Sequence, residues 1–276
     1  MNTRVWVDGE RVDDKPSVRA LDHGVTVGDG VFETCKIDGG EVFVLERHYD
    51  RLDNSLRGLG LQAADRAHLD EGIAAVLREP MDFGRLRFTV TGGLGPLGSD
   101  RSDVPMTYIV SAVELERPQG STKIVVVPWT RNENSAVAGL KTTSYAENVV
   151  ALAHAKSQGG SEAIFANTRG ELCEGTGSNI FVVVDGEILT PPLSAGPLAG
   201  ITRALVLEWC GEAGIAIREQ TLPLDVLRSA DEVFITSSTR DVQPVHAVDD
   251  RVLPAPGPLT TAAADVFAKA AAAGRR

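Results

Sequence analysis

A chain of 276 residues with 43% hydrophobic and 24% charged residues has the make-up of a globular enzyme, long enough for one large domain or two medium ones. Its formal net charge of -11 argues against a nucleic-acid surface, which needs a basic patch. No run approaches a membrane span, and the start at Met1 has no apolar signal-peptide core.

Three cysteines (Cys35, Cys173, Cys210) cannot all pair and show no CxxC spacing. They read as small core residues of a protein in reducing cytosol, which makes cytoplasmic the expected location. The five histidines are scattered without metal-ligand spacing, so no metal is expected.

The early chain alternates short strands with Asp-Gly turns. Trp6 to Val12, turning at Asp8-Gly9, and Cys35 to Val44, turning at Asp38-Gly39, both read as hairpins. Helices are expected from Leu45 to Leu59, with apolar positions Leu45, Leu52, Leu56 and Leu59, and from Asp65 to Arg78. A strand from Arg85 to Thr91 runs into the glycine-rich loop Gly92 to Gly98. That loop lacks the Gly-Lys-Ser/Thr ending of a P-loop and reads as a plain connection. Another strand spans Tyr108 to Val113.

The polar run Glu116 to Ser121, with Pro118 and Gly120, is the best linker. It suggests an N-terminal α/β domain over 1–117, a linker over 118–122 and a C-terminal α/β domain over 123–276. Beyond it, strands are expected at Lys123 to Val127, Glu162 to Ala166, Asn179 to Val184, Glu187 to Thr190 and Glu232 to Thr236. A helix follows Thr202, and an alanine-rich helix begins near Thr261. Asp-Gly hairpins recur without a solenoid repeat, so the mixture suggests two α/β or α+β domains.

The stretch Gly139 to Asn148 places Lys141 between irregular chain and an amphipathic helix whose stripe is Tyr145, Val149 and Leu152. Ser144 followed by Glu147 has the spacing of a capping box. Lys141 is then either a surface lysine beside a helix start or a reactive amine, since a desolvated lysine near other cations loses its proton more readily.

Four further features carry comparable alternatives. Arg51 is a helix-borne arginine that can fork onto phosphate oxygens or face solvent. Glu174 precedes an intensely apolar strand, where a carboxylate needs a partner. Gly200-Ile201-Thr202-Arg203 opens a helix whose free amides and hydroxyl suit an anion or simply form an N-cap. Thr236-Ser237-Ser238-Thr239 offers four consecutive hydroxyls at a strand end.

Taken together these residues resemble the class IV aminotransferases, the fold-type IV family of pyridoxal-phosphate enzymes. The matching segments are Gly28 to Glu33, His48 to Leu52, Gly139 to Lys141, Glu174 to Phe181, Gly200 to Arg203 and Phe234 to Val245, in the family's order across about residues 5 to 250. The resemblance implies a two-domain α+β or α/β fold with the active site between domains, pyridoxal 5'-phosphate as cofactor, an amino acid and a 2-oxo acid as small-molecule substrates, and a homodimer. Lys141, in the C-terminal domain, would link to the cofactor aldehyde and then move the proton at substrate Cα. Glu174 would keep the pyridine nitrogen protonated. Arg51, Ile201, Thr202 and Ser238 or Thr239 would hold the phosphate, with Tyr145, Thr176 and Gly177 also against the cofactor and Phe32 as an aromatic wall of the substrate pocket.

The substrate is less determined. Gly28-Asp29-Gly30-Val31-Phe32-Glu33-Thr34 is similar to D-amino-acid transaminases. The arginine and histidine by which well-known D-specific enzymes trap a carboxylate are missing from the 92–101 loop. Arg101, Arg131 and Arg240 are the candidate replacements. The expectation is a transaminase favouring D-amino acids. Aminodeoxychorismate lyase, releasing pyruvate and 4-aminobenzoate, is the alternative, followed by branched-chain or amine transaminase.

Overall fold

In the computed structural model, which describes residues 3–275, the chain forms two compact units. One runs to Arg117 and takes back Leu140–Tyr145; the other holds Pro118–Gly139 and resumes at Ala146. The lysine stretch thus packs with the first unit, not with the second as expected. The reason is backbone pairing, described below.

The first unit contains β1 (Thr3–Val7), β2 (Glu10–Arg11), a short α1 (His23–Thr26), β3 (Gly30–Asp38), β4 (Glu41–Val42), α2 (Leu45–Leu59), α3 (Arg66–Val76), β5 (Phe83–Thr91) and β6 (Thr107–Glu114). Its six strands form an antiparallel sheet in the order β2-β1-β6-β5-β3-β4. The Asp8-Gly9 turn has both residues at positive φ, 43° and 97°, which sets the right-handed twist of a tight hairpin. Alternation along β3 and β5 sends Val31, Cys35, Ile37, Leu86, Phe88 and Val90 into one core with Leu52 and Leu56 of α2 and Leu69 and Val76 of α3. Each such side chain, fully buried, stabilises the unit by roughly 1.5–3 kcal/mol. Phe32, Thr34, Arg85 and Arg87 belong to the other face by the same period.

The second unit contains β7 (Thr122–Arg131), α4 (Ala146–Ser157), β8 (Glu162–Asn167), β9 (Leu172–Gly175), β10 (Asn179–Val184), β11 (Glu187–Thr190), α5 (Ile201–Glu212), β12 (Ile217–Glu219), β13 (Glu232–Ser237), β14 (Asp241–Val248), β15 (Arg251–Val252) and α6 (Pro258–Ala272). Eight strands run β12-β11-β10-β13-β14-β7-β8-β9, with β15 beside β14. The apolar runs of β8, β10 and β13 are buried throughout, as strands covered on both faces require. Helix α6 starts earlier than expected, at Pro258, because the Glu232 carboxylate accepts from the amides of Leu259 (3.0 Å) and Thr260 (2.7 Å) and so caps it from a neighbouring strand. All three cysteines are free and buried, and burial pushes their thiols up. Among the described residues no helix is long and apolar enough to cross a membrane.

Two local expectations differ. The capping box at Ser144 and Glu147 does not form: the Ser144 hydroxyl donates to Gly28 O (3.1 Å) and Glu147 pairs with Arg131, so α4 begins at Ala146. Its buried face is Asn148, Ala151 and Ala155, while Val149 and Val150 are exposed.

One residue of β3 breaks the apolar alternation. Glu33 is fully buried on the helix-facing side, where α2 brings two partners to it. Arg51 donates from Nε to Oε1 (2.8 Å) and from Nη2 to Oε2 (2.6 Å), and His48 Nδ1 donates to Oε2 (2.7 Å). Burial alone would raise the Glu33 pKa, but the Arg51 charge and these bonds outweigh it and hold it down at about 2. Burial lowers the His48 pKa against the pull of Glu33, so the imidazole is neutral near pH 7. Since the Glu33 pKa is depressed on folding, its contribution is complete above the unfolded carboxylate value and disappears as pH falls towards 2. A separation of that size corresponds to roughly 3 kcal/mol. Glu33→Gln is therefore expected to cost about that much at pH 7, with the deficit shrinking between pH 4.5 and pH 2. Denaturant midpoints of both proteins across that range test this, and a gap independent of pH would contradict it.

Candidate active site

The lysine stretch forms an extra edge beside the start of β3. Phe32 N donates to Lys141 O (2.9 Å), Thr143 N donates to Gly30 O (2.8 Å), and Thr142 bridges Val31 antiparallel. Lys141 N donates to Ser55 Oγ of α2 (3.2 Å), and Thr143 Oγ1 donates to Gly28 O (2.8 Å). Leu140 lies over α2 at Gly58, where an added Cβ would come within 2.6 Å of it; glycine there is what lets the strap lie down. Because Thr142 is opposite the core residue Val31, the period of two places Lys141 on the face of Phe32. Its Nζ stands 4.5 Å from the Phe32 ring centroid and 5.8 Å from that of Tyr145. The two rings meet edge to face at 5.1 Å. Of the expected residues, Lys141, Tyr145 and Phe32 are thus brought together, and Arg51 lies behind the strand on the helix side with two of its donors committed to Glu33.

A residue not singled out from the sequence joins this group. Arg87 of β5 holds its guanidinium 3.7 Å from the Phe32 ring centroid. Among the described residues it forms no ion pair. The other candidate cations are engaged elsewhere. Arg101 places Nε and Nη2 on the two oxygens of Asp29 (2.7 and 2.5 Å), so its fork is filled by a carboxylate of its own unit. Arg131 pairs with Glu147 and Glu174, and Arg240 with Glu162. The alternation Leu86-Arg87-Phe88 was readable, but arginines on the outer face of a strand ordinarily read as solvated. Only the register that sets Thr34 opposite Arg87 puts this one diagonal to Phe32.

In the second unit Glu174 lies on β9 itself, ahead of the apolar strand β10. Its Oε2 accepts from Leu198 N (2.9 Å), and Oε1 is 3.2 Å from Arg131 Nε. That nitrogen is buried and makes no aligned hydrogen bond, so the attraction is chiefly between charges.

From Leu198 the chain runs into α5. Gly200 is its N-cap without a side-chain cap, and a Cβ there would collide with Asn179 Oδ1. The helix start thus presents the Ile201 and Thr202 amides to an anion. Asn179 opens β10 opposite Thr236 near the end of β13, and Asn179 Nδ2 donates to Leu198 O (2.9 Å). The turn after β13 carries Ser238 and Thr239, half-buried, whose hydroxyls find no partner among the described residues. Ser178 Oγ and Thr236 Oγ1 are buried without partners as well. Thr176 Oγ1 and Gly177 N, by contrast, donate to Glu162. Their donors shape the turn between β9 and β10.

Unsatisfied hydroxyls and an uncapped twelve-residue helix form a donor set that suits a phosphate, and Glu174 is an acceptor that suits a protonated ring nitrogen.

The comparisons with known proteins agree. The family model for amino-transferase class IV matches residues 30–248. The chain is 33% identical to D-alanine aminotransferase of Bacillus licheniformis, over 87% of this chain and 86% of that one. It is 31% identical to branched-chain-amino-acid aminotransferase of Pseudomonas aeruginosa, over 93% and 89%. The branched-chain aminotransferase structure from Thermoproteus uzoniensis superposes with a TM-score of 0.89 at 28% identity, covering 99% of this chain and 95% of that one. Other relatives are named aminodeoxychorismate lyase. With its two mixed α/β units, its lysine strap and the matched span, the chain belongs to the class IV aminotransferases, the fold-type IV enzymes that use pyridoxal phosphate.

Proposed function

We propose that this enzyme is a transaminase moving an amino group between an amino acid, D-configured by preference, and a 2-oxo acid. The observation that carries the proposal is Arg87, a guanidinium without an ion pair packed on the same ring as Lys141. Both substrates carry a carboxylate next to the reacting carbon, and a planar fork beside the amine binds and orients such a group. The D preference is supported by the Gly28 to Thr34 pattern and by similarity to an enzyme named D-alanine aminotransferase.

Bound pyridoxal phosphate supplies an electron sink for the carbanion left when Cα loses its proton. Lys141 would be the residue that holds it covalently, and its Nζ would be the group that takes and returns the proton at substrate Cα. Glu174 would accept from the ring nitrogen and keep it protonated, with Arg131 and Leu198 N fixing the carboxylate. The Ile201 and Thr202 amides and the Ser238 and Thr239 hydroxyls would hold the phosphate; Arg51, expected there by family resemblance, has two of its donors on Glu33. Phe32 and Tyr145 set ring surfaces beside the Lys141 amine. A homodimer in the cytoplasm fits the exposed Trp129, Val149 and Val150 of the second unit and the three free cysteines.

The lyase is the second reading, favoured by relatives of that name. It needs no 2-oxo acid acceptor, so stoichiometry separates the two. Purified protein is expected to form pyruvate from D-alanine only when 2-oxoglutarate is added, and faster than it converts L-leucine. Pyruvate from aminodeoxychorismate without acceptor, and none from D-alanine, would replace the transaminase with the lyase. Arg87→Ala is expected to raise KM for both carboxylate substrates roughly ten- to hundredfold, the loss of one or two charge-assisted hydrogen bonds. An unchanged KM would remove Arg87 from the role.

A further inference from the structure

Glu162 opens β8 with its side chain 3% exposed, and its two oxygens reach in different directions. Oε1 accepts from Thr176 Oγ1 and from Gly177 N (2.8 Å), in the turn between β9 and β10. Oε2 pairs with Arg240. Arg240 closes the turn between β13 and β14, where its Nε donates to Ser237 Oγ (3.1 Å) and its amide to Ser237 O (3.2 Å). One buried carboxylate therefore ties together two turns at the same end of the β10–β13 pair. The turn that Arg240 closes carries Ser238 and Thr239, whose hydroxyls lack internal partners. The turn that Glu162 fixes carries Ser178, with its buried unpartnered oxygen.

We propose that Glu162 and Arg240 are positioning residues for the cofactor: the pair fixes the backbone of the 237–240 turn so that the Ser238 and Thr239 hydroxyls meet the phosphate in place. This inference rests on the proposed phosphate role of those hydroxyls. The physical argument is one of restraint. Serine and threonine hydroxyls rotate freely, and a four-residue hydroxyl turn left to itself samples several local hydrogen-bonding patterns. A guanidinium anchored on a buried acid gives the turn a fixed floor. A preformed site binds more tightly because less ordering remains to be done when the ligand arrives. Charge does not explain the arrangement, since Arg240 faces Glu162 and contributes little net positive field.

The test measures equilibrium binding of pyridoxal phosphate to the apo protein by its absorption and fluorescence, with the melting temperature of each apo protein alongside. Arg240→Met and Glu162→Gln are expected to weaken binding tenfold or more while kcat at saturating cofactor stays within about threefold; Arg240→Lys, which keeps the charge, recovers part of the affinity. Affinity within twofold of wild type in both variants overturns the proposal, as does a fall in melting temperature with affinity unchanged, the mark of a merely structural pair. Should Arg240→Met fail to fold, Arg240→Lys and Glu162→Gln decide the matter by the same criteria. Thr239→Ala and Ser238→Ala separate this from the reading beneath it: unchanged affinity when both hydroxyls are removed refutes their phosphate role, whereas unchanged affinity in the pair variants alone refutes only the positioning.

Discussion

The register of the lysine strap on β3 is the constraint from which the rest of the first unit's chemistry follows. Two backbone bonds, Phe32 N to Lys141 O and Thr143 N to Gly30 O, and one bridge, Thr142 to Val31, determine which way Lys141 faces. A slip of one residue would turn Lys141 into the helix-facing core and bring Thr142 to the aromatic face. That core already holds a buried ion pair between Glu33 and Arg51, and a second cation there would be costly. The opposite face offers the lysine the ring surfaces of Phe32 and Tyr145, which attract a cation.

The second unit solves a different problem with the same economy of parts. Its anion-binding elements gather at one end of the β10–β13 pair because Asn179 touches Gly200 on one side and lies opposite Thr236 on the other. Each element there has its own support. Leu198 N and Arg131 hold Glu174, Gly200 admits Asn179, and Glu162 with Arg240 holds the two turns. What the ligand would touch is short-range and polar, and what fixes it is buried one residue further back.

Much of this was legible in the chain. The Asp-Gly hairpins, the helix from Leu45 to Leu59 and the helix start at Gly200-Ile201 follow from local chemistry, which acts over a few residues and leaves its mark in order. The residues of the lysine stretch were legible too, but not their unit. Lys141 is packed by strands and a helix about a hundred residues earlier, a pairing that no local pattern encodes. Arg87 was hidden for a related reason, since an arginine on the outer face of a strand and an arginine in a pocket have the same sequence. Ser144 shows the opposite failure: its spacing to Glu147 is that of a capping box, yet tertiary partners at Gly28 and Arg131 took both side chains. Glu162 carried no signal at all, being the first residue of an apolar strand whose partners lie at positions 176, 177 and 240.

The account stands most directly on Lys141 as the amine that holds the cofactor. Protein isolated with pyridoxal phosphate and reduced with borohydride should lose its yellow colour, and digestion should place the fixed pyridoxyl group on the peptide containing Lys141, with the Lys141→Ala protein left unlabelled and inactive. A label on another lysine, or undiminished turnover by Lys141→Ala, would contradict it.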